Sequence, residues 1–194
     1  MKTLIIHPND ASTSFLSRIY ARLKDKTVVK GGITKSDLCK LMESNDRALM
    51  FGHGSPHGLL SMGQFPQAGF YIVDELMVSV LRNKSDSIFI WCYASMFVQR
   101  HGLTGLCSGM FVSEMDEWYI YGFGYVDQSI IDESNERFVY VVSKYIQESP
   151  EILYERLMNE YGSLSKTNTV VRYNVERLCL RHGDLTKVYK RVIV

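Results

Sequence analysis

Arg47-Ala-Leu-Met-Phe-Gly-His53-Gly54 and Ser87-Ile-Phe-Ile-Trp-Cys92-Tyr-Ala are two short apolar runs, each ending in a chemically capable side chain, with Cys92 thirty-nine positions after His53. Short continuous apolar runs rich in β-prone residues predict strands buried on both faces, as in a parallel sheet. The carboxyl ends of neighbouring strands in such a sheet line the crevice where ligands bind. An imidazole and a thiol delivered to that edge make a base and a nucleophile.

Strand and helix signals alternate around these runs, the pattern of an α/β protein with a mainly parallel sheet flanked by helices. Thr3 to His7 predicts a first strand, stopped by Pro8-Asn9-Asp10. Ser12 or Thr13 is placed to cap a helix reaching about Lys24, and Thr27 to Lys30 predicts a brief strand before Gly31-Gly32. Thr34 with Asp37 resembles a capping box opening a second helix.

The segment Ser55 to Gly69, rich in glycine and proline, predicts a loop or small hairpin after His53. The spacing over Tyr71 to Leu81 predicts a helix. Another follows Cys92, from Tyr93 to a stop at Gly102, and a strand is expected over Leu106 to Ser113. Beyond Gly124 the periodicity is helical over Ser129 to Gln147, from Ser149-Pro150 to Tyr161-Gly162, and over Asn168 to Leu180, and Lys187 to Val194 reads as a late strand or ordered tail. The expectation is a single domain over 1–194, with a sheet core in 1–125 and a mostly helical elaboration in 126–194.

With 46% hydrophobic and 22% charged residues the chain has the composition of an ordinary globular protein. Its 22 basic and 21 acidic residues are interspersed, so the electrostatic footprint of a nucleic-acid binder is missing. No stretch approaches the roughly 20 apolar residues of a spanning helix. Leu4-Ile5-Ile6 is far short of the apolar region of about 7–15 residues in a signal peptide, which points to the cytoplasm. Cys39, Cys92, Cys107 and Cys179 are scattered without CxxC or zinc-type spacing, so a disulfide framework is not expected and three of the four read as core thiols.

A thiol of ordinary pKa, about 8.5, is mostly protonated at neutral pH, so a nucleophilic cysteine needs a base or a helix N-terminus to enrich its thiolate. Cys92 follows a strand and precedes an expected helix, and His53 supplies the base. Gly54, lacking Cβ, lets a substrate carbonyl approach its amide, which with the Cys92 amide can form an oxyanion hole; a tight turn explains the glycine equally well.

In these residues the chain resembles the caspase-like cysteine peptidases of clan CD, a group that includes gingipain- and CHAT-type domains. Their pattern is an apolar strand ending in His-Gly and a later one ending in the nucleophilic Cys, matched here by Met50-Phe51-Gly52-His53-Gly54 and Ile88-Phe89-Ile90-Trp91-Cys92. The likeness covers roughly residues 1–125. It implies a three-layer caspase-like fold with a C-terminal helical elaboration, His53 as general base and acid, Cys92 as nucleophile and the Gly54 amide as oxyanion donor. The segment after the cysteine strand shapes the pocket for the residue before the scissile bond in that group. Here it contains Glu114 and Asp116, which would suit Lys or Arg.

A peptide or protein substrate is the implied partner, and no metal, organic cofactor, nucleic acid or membrane is called for. The oligomeric state is not legible. Bland readings stand beside these. Glu114 and Asp116 are equally readable as solvated carboxylates, and an apolar strand ending in Cys is common in cores. His57 competes with His53 from a flexible segment, His7 can border the same crevice, and His101 and His182 each precede a glycine as helix-end residues do. The run Trp118 to Phe123 reads as packing of the C-terminal helices. No third residue orienting His53 is identifiable, and Trp91 is bulky. The alternative function is therefore a catalytically inactive caspase-like module that binds a protein partner; a small-molecule site in an unrelated doubly wound fold is a third possibility.

Overall fold

The computed structural model describes residues 1–182 and 185–188. Among these residues ten strands occur in chain order: β1 (Thr3–Ile6), β2 (Lys26–Val29), β3 (Arg47–Phe51), β4 (Gly54–Ser55), β5 (Gly58–Leu60), β6 (Tyr71–Val73), β7 (Ile88–Ile90), β8 (Gly105–Ser108), β9 (Leu178–His182) and β10 (Leu185–Val188). The α-helices are α1 (Ser17–Tyr20), α2 (Lys35–Glu43), α3 (Val78–Leu81), α4 (Ala94–Arg100), α5 (Met115–Ile120), α6 (Gln128–Tyr145), α7 (Pro150–Arg156) and α8 (Thr169–Val175).

Seven strands form one sheet in the order β10-β9-β8-β7-β3-β1-β2. The five from β2 to β8 are parallel, while β9 and β10 add antiparallel at the β8 edge. The protein is thus α/β, with a mainly parallel sheet flanked by helices. Strand periodicity explains the two cores. Ile5, Leu49, Phe51, Ile88 and Ile90 point to one face, where α1, α6 and α7 bury Ile19, Phe138 and Leu153. Their neighbours Leu4, Ile6, Met50, Phe89 and Trp91 point to the other, against Leu38 and Met42 of α2 and Phe97 and Val98 of α4.

The two apolar runs become β3 and β7, which pair in parallel, as continuous burial requires. Thr34 caps α2, accepting from the Asp37 amide at 3.2 Å, and Ser149 caps α7 with Pro150 in its first turn. Among the described residues no helix is long and apolar enough to cross a membrane.

Several expected elements differ. The helix from Ser12 to Lys24 shrinks to a 3-10 turn at Ser14–Leu16 followed by α1, with no side-chain cap, because the Thr13 hydroxyl meets His7 and the Ser12 hydroxyl meets Asp10 and His53. Tyr71 to Leu81 is not one helix. Tyr71–Val73 pairs with β5, and Asp74 caps a 3-10 turn leading to α3; a helical spacing of apolar residues was satisfied by strand pairing instead. The loop or small hairpin expected after His53 is a hairpin, β4-β5, to which β6 adds a third strand.

The strand predicted over Leu106 to Ser113 ends at Ser108. The last helix stops at Val175, and Leu178–His182 is a strand, so the C-terminal part adds two strands to the sheet as well as helices. His182 accordingly ends a strand, facing Glu151 of α7, and is no helix cap. Of the expected late strand from Lys187 to Val194, residues 187 and 188 fall within β10; residues 189–194 lie outside those described.

Candidate functional site

The chain passes from β1 to β2 on one side and from β3 through β7 to β8 on the other, so the order reverses between β1 and β3. In an open α/β sheet that reversal opens a crevice at the carboxyl ends of the strands. The segments leaving β1 and β3 meet there, and they bring Asp10, Ser12 and His53 together.

Beyond β3 the Gly52 amide donates to the Ile90 carbonyl at 3.1 Å, extending the ladder with β7 by one residue. Gly52 then takes φ +139°, a conformation side chains disfavour, and the chain turns to release His53. Asp10 Oδ1 accepts from the Ser12 amide at 2.9 Å and from the Ser12 hydroxyl. A serine has one hydroxyl hydrogen. With it given to the carboxylate, Ser12 Oγ accepts from His53 Nε2–H at 2.6 Å. In the neutral imidazole Nδ1 is then the nitrogen with the free lone pair. Asp10 Oδ1 also lies 3.4 Å from Nε2. The Ser12 hydrogen bond holds the Asp10 carboxyl below its ordinary range, with the nearby imidazole adding to the effect against partial burial.

Asp10 and Ser12 thus supply the orienting group that sequence reasoning failed to find. The signal was the Pro8-Asn9-Asp10 stop itself, but its relevance depends on β1 lying next to β3, a neighbour relation that chain order does not give.

His53 and Cys92 line one small cavity of about 30 Å³, with Thr13, Phe111 and Glu117 among its other walls. No hydrogen bond joins the thiol to His53 among the described residues. Burial pushes the Cys92 thiol up to about 11, helped by the Glu117 carboxylate, against amides of Phe111 and Cys92 that favour the thiolate. The expected lowering of this thiol by the following helix is therefore corrected. Helix α4 is only seven residues long, and desolvation outweighs it.

Tyr93, directly after the cysteine, is left-handed at φ +66°. Such a conformation costs a non-glycine residue roughly 1–2 kcal/mol. The Tyr93 amide donates to Gly109 O at 3.0 Å, and its hydroxyl meets that of Tyr121 at 2.8 Å, so the backbone beside the sulfur is held on both sides.

Gly54 lies outside the cavity lining, and its packing role is clear: a Cβ there would sit 2.0 Å from Trp91 Cδ1 and 2.7 Å from Gly58 O. Trp91 is buried, donating Nε1–H to Ser55 O at 3.1 Å. The bulky Trp91 and the absent side chain at Gly54 are one fitted pair. Gly54→Ala is expected to destabilise the protein by about 1–3 kcal/mol through overpacking, read as a lower midpoint in urea with unchanged slope.

Glu114 and Asp116 lie at the start of α5 and line a separate groove of about 600 Å³ with Ser12, Asn135, Asp132 and Glu136. Phe15 and Ser113 wall both the groove and the Cys92 cavity, so the two are neighbours. Burial pushes the Glu114 carboxyl up, and Glu117, Asp10 and Asp116 add to it. Glu136 is engaged by Arg18 at 2.7 Å.

The other histidines sort themselves by contact. His57 is exposed, with Nδ1 3.2 Å from Arg100 Nη1, and is not part of the Cys92 cavity lining. His7 is buried between Tyr20 OH at 2.8 Å and Thr13 Oγ1 at 3.3 Å. His101 follows α4 as a helix-end residue, before Gly102 at φ +60°. In the aromatic run Trp118 is buried, as packing requires, and the partly exposed Tyr121 and Phe123 stack on each other and pack against Tyr173 of α8. Cys39 is only half-buried; Cys107 and Cys179 are the core thiols.

No family model matches the chain, and no curated protein or solved structure matches it.

Proposed function

We propose that the chain is a cysteine endopeptidase with a three-layer caspase-like fold, acting on peptide or protein substrates in the cytoplasm. The observation that supports it most is the Asp10–Ser12–His53 chain, which ends at the cavity lined by Cys92. Such an arrangement serves a base: Nε2 is tied down and Nδ1 is left to take a proton.

Cys92 Sγ adds to the scissile carbonyl carbon as its proton passes to His53. The protonated imidazole returns that proton to the leaving amine as the C–N bond breaks. Water then attacks the thioester, giving its proton to His53, and the thiol is regenerated. Asp10, held ionised, stabilises the imidazolium through Ser12. The amides of Gly54 and Cys92 are the proposed donors to the carbonyl oxygen. A thiol at about 11 is ionised to about one part in ten thousand at neutral pH, so attack and deprotonation occur together. The cavity of about 30 Å³ has room for about two waters, and the peptide therefore lies across its mouth.

The acidic groove beside that cavity suits a Lys or Arg side chain before the scissile bond. Replacing both Glu114→Gln and Asp116→Asn is expected to reduce the preference for a basic over a neutral residue about tenfold, measured as a ratio of kcat/KM values, since a charge-assisted contact in a partly open groove is worth about 1.5 kcal/mol.

One reading competes on a specific observation. The protonated, half-buried thiol equally fits a catalytically inactive module of the same fold that binds a protein partner. Treatment with a peptidyl electrophile ending in Lys or Arg, followed by peptide mass spectrometry, separates the two. A single adduct at Cys92 is expected for the peptidase. Equal labelling of Cys39 and Cys92, or none at Cys92, would overturn it.

A further inference from the structure

Cys107 in β8 and Cys179 in β9 are directly opposite in an antiparallel ladder, and their sulfurs are 2.9 Å apart. Neither takes part in the site described above. The sequence separates them by 72 positions, so only the fold makes them a pair. Both are buried, on the sheet face covered by α4, and Cys179 keeps 6% of its surface open.

A filler role asks only for volume, and these two sulfurs have more than that. Arg181, two residues along β9 and so on the same face as Cys179, bonds Gln99 Oε1 at 2.9 Å through Nη2, while its Nε is buried with no hydrogen-bond partner among the described residues. Hydrogen bonding from Cys107 draws the Cys179 thiol below its ordinary range, against burial and aided by the Arg181 charge; the same bond, with burial, holds Cys107 well above. One sulfur is therefore disposed to carry negative charge and the other to carry the proton.

We propose that Cys107 and Cys179 form a reversible disulfide, made by a hydroperoxide, that staples the antiparallel β9-β10 extension to the parallel part of the sheet. The Cys179 thiolate attacks one peroxide oxygen and the O–O bond breaks, giving a sulfenic acid and, with one proton, water (or an alcohol from an organic peroxide). The Cys107 sulfur then attacks the sulfenic sulfur, the S–O bond breaks, and the hydroxyl leaves as water with the thiol's proton. Two thiols lose two electrons in total, and one peroxide is reduced. A dithiol reverses the step by exchange. Pairing of a charge-stabilised thiolate with an adjacent resolving thiol is what makes such a site selective over Cys39 and Cys92.

The test uses the unaltered chain, folded, with hydrogen peroxide as the probe. Free thiols are alkylated after exposure and denaturation, the protein is digested without reduction, and its peptides are mapped. The expected result is a loss of two mass units and a peptide pair joined through Cys107 and Cys179, with Cys39 and Cys92 still alkylated; dithiothreitol restores all four thiols. Arg181→Met is expected to slow formation severalfold. Recovery of Cys107 and Cys179 as alkylated thiols while Cys92 or Cys39 is oxidised, or a bridge to any other cysteine, would overturn the proposal.

Discussion

With His53→Ala, alkylation of Cys92 by the basic peptidyl electrophile, and any turnover of a matching substrate, falls by about 10²–10⁴-fold, the usual contribution of a positioned general base. The loss is large here because nothing else ionises the sulfur. Burial and Glu117 keep the thiol protonated up to about 11, and the favourable amides of Phe111 and Cys92 do not offset them. The remaining labelling in the variant should therefore climb about tenfold per pH unit through the neutral and alkaline range, as thiolate alone is populated. The unaltered protein should show a flatter profile. Asp10→Asn should give a smaller loss of the same kind, since Ser12 Oγ would keep its place against Nε2 but the imidazolium would lose its counter-charge. Rates of Cys92 labelling by stopped reaction and mass spectrometry, with Cys39 as internal standard, check all three. Equal rates in His53→Ala and the unaltered chain would remove His53 from the chemistry.

The sequence makes the two chemically important strands legible because burial on both faces leaves an unbroken apolar run, and β3, Arg47–Phe51, is the apolar part of the run that starts at Arg47. Capping is similarly local, which is why Thr34 and Ser149 stand where they were expected. What failed was whatever depends on a partner distant in sequence. Tyr71-Ile-Val is a strand because Gly58–Leu60 lies beside it, and Leu178–His182 is a strand because β8 offers an edge. Periodicity within the segment contains neither fact. The candidate site divides along the same line. His53 and Cys92 sit at strand ends and could be named from their own runs; Asp10 and Ser12 could not, because they matter only through the reversal of strand order between β1 and β3. The protonation state of Cys92 was misjudged for a related reason: a helix start is visible in sequence, whereas the walls contributed by Phe111 and Glu117 are not.

The end of β1 is sensitive to acid, because His7 is buried there against Tyr20, Phe51 and Thr13, and the second large effect is expected there. His7 is 3% exposed, and burial, reinforced by the Lys30 charge, lowers it from its ordinary value to about 4, against weaker opposing contributions from Thr13 and Asp10. A depressed value means that the folded chain resists a proton which the unfolded chain accepts. Stability is therefore complete above about pH 6.5 and declines as the pH falls through the interval down to about 4, below which both states carry the proton. The shift corresponds to a loss of about 3 kcal/mol over that interval. His101, lowered chiefly by its own burial, adds in the same direction. His7→Gln keeps polar atoms for Tyr20 OH and Thr13 Oγ1 but has no proton to gain, so its urea-unfolding free energy should fall by about 3 kcal/mol less than that of the unaltered protein between pH 6.5 and 4, whatever its stability at neutral pH. Parallel pH curves for the two proteins would show that His7 is not held neutral. The coupling to chemistry is direct: His7 is three residues from Asp10 and bonds Thr13, next to Ser12. A proton forced onto His7 therefore loosens the segment that holds His53, and the variant should keep Cys92 labelling, relative to its own neutral value, to lower pH than the unaltered chain does.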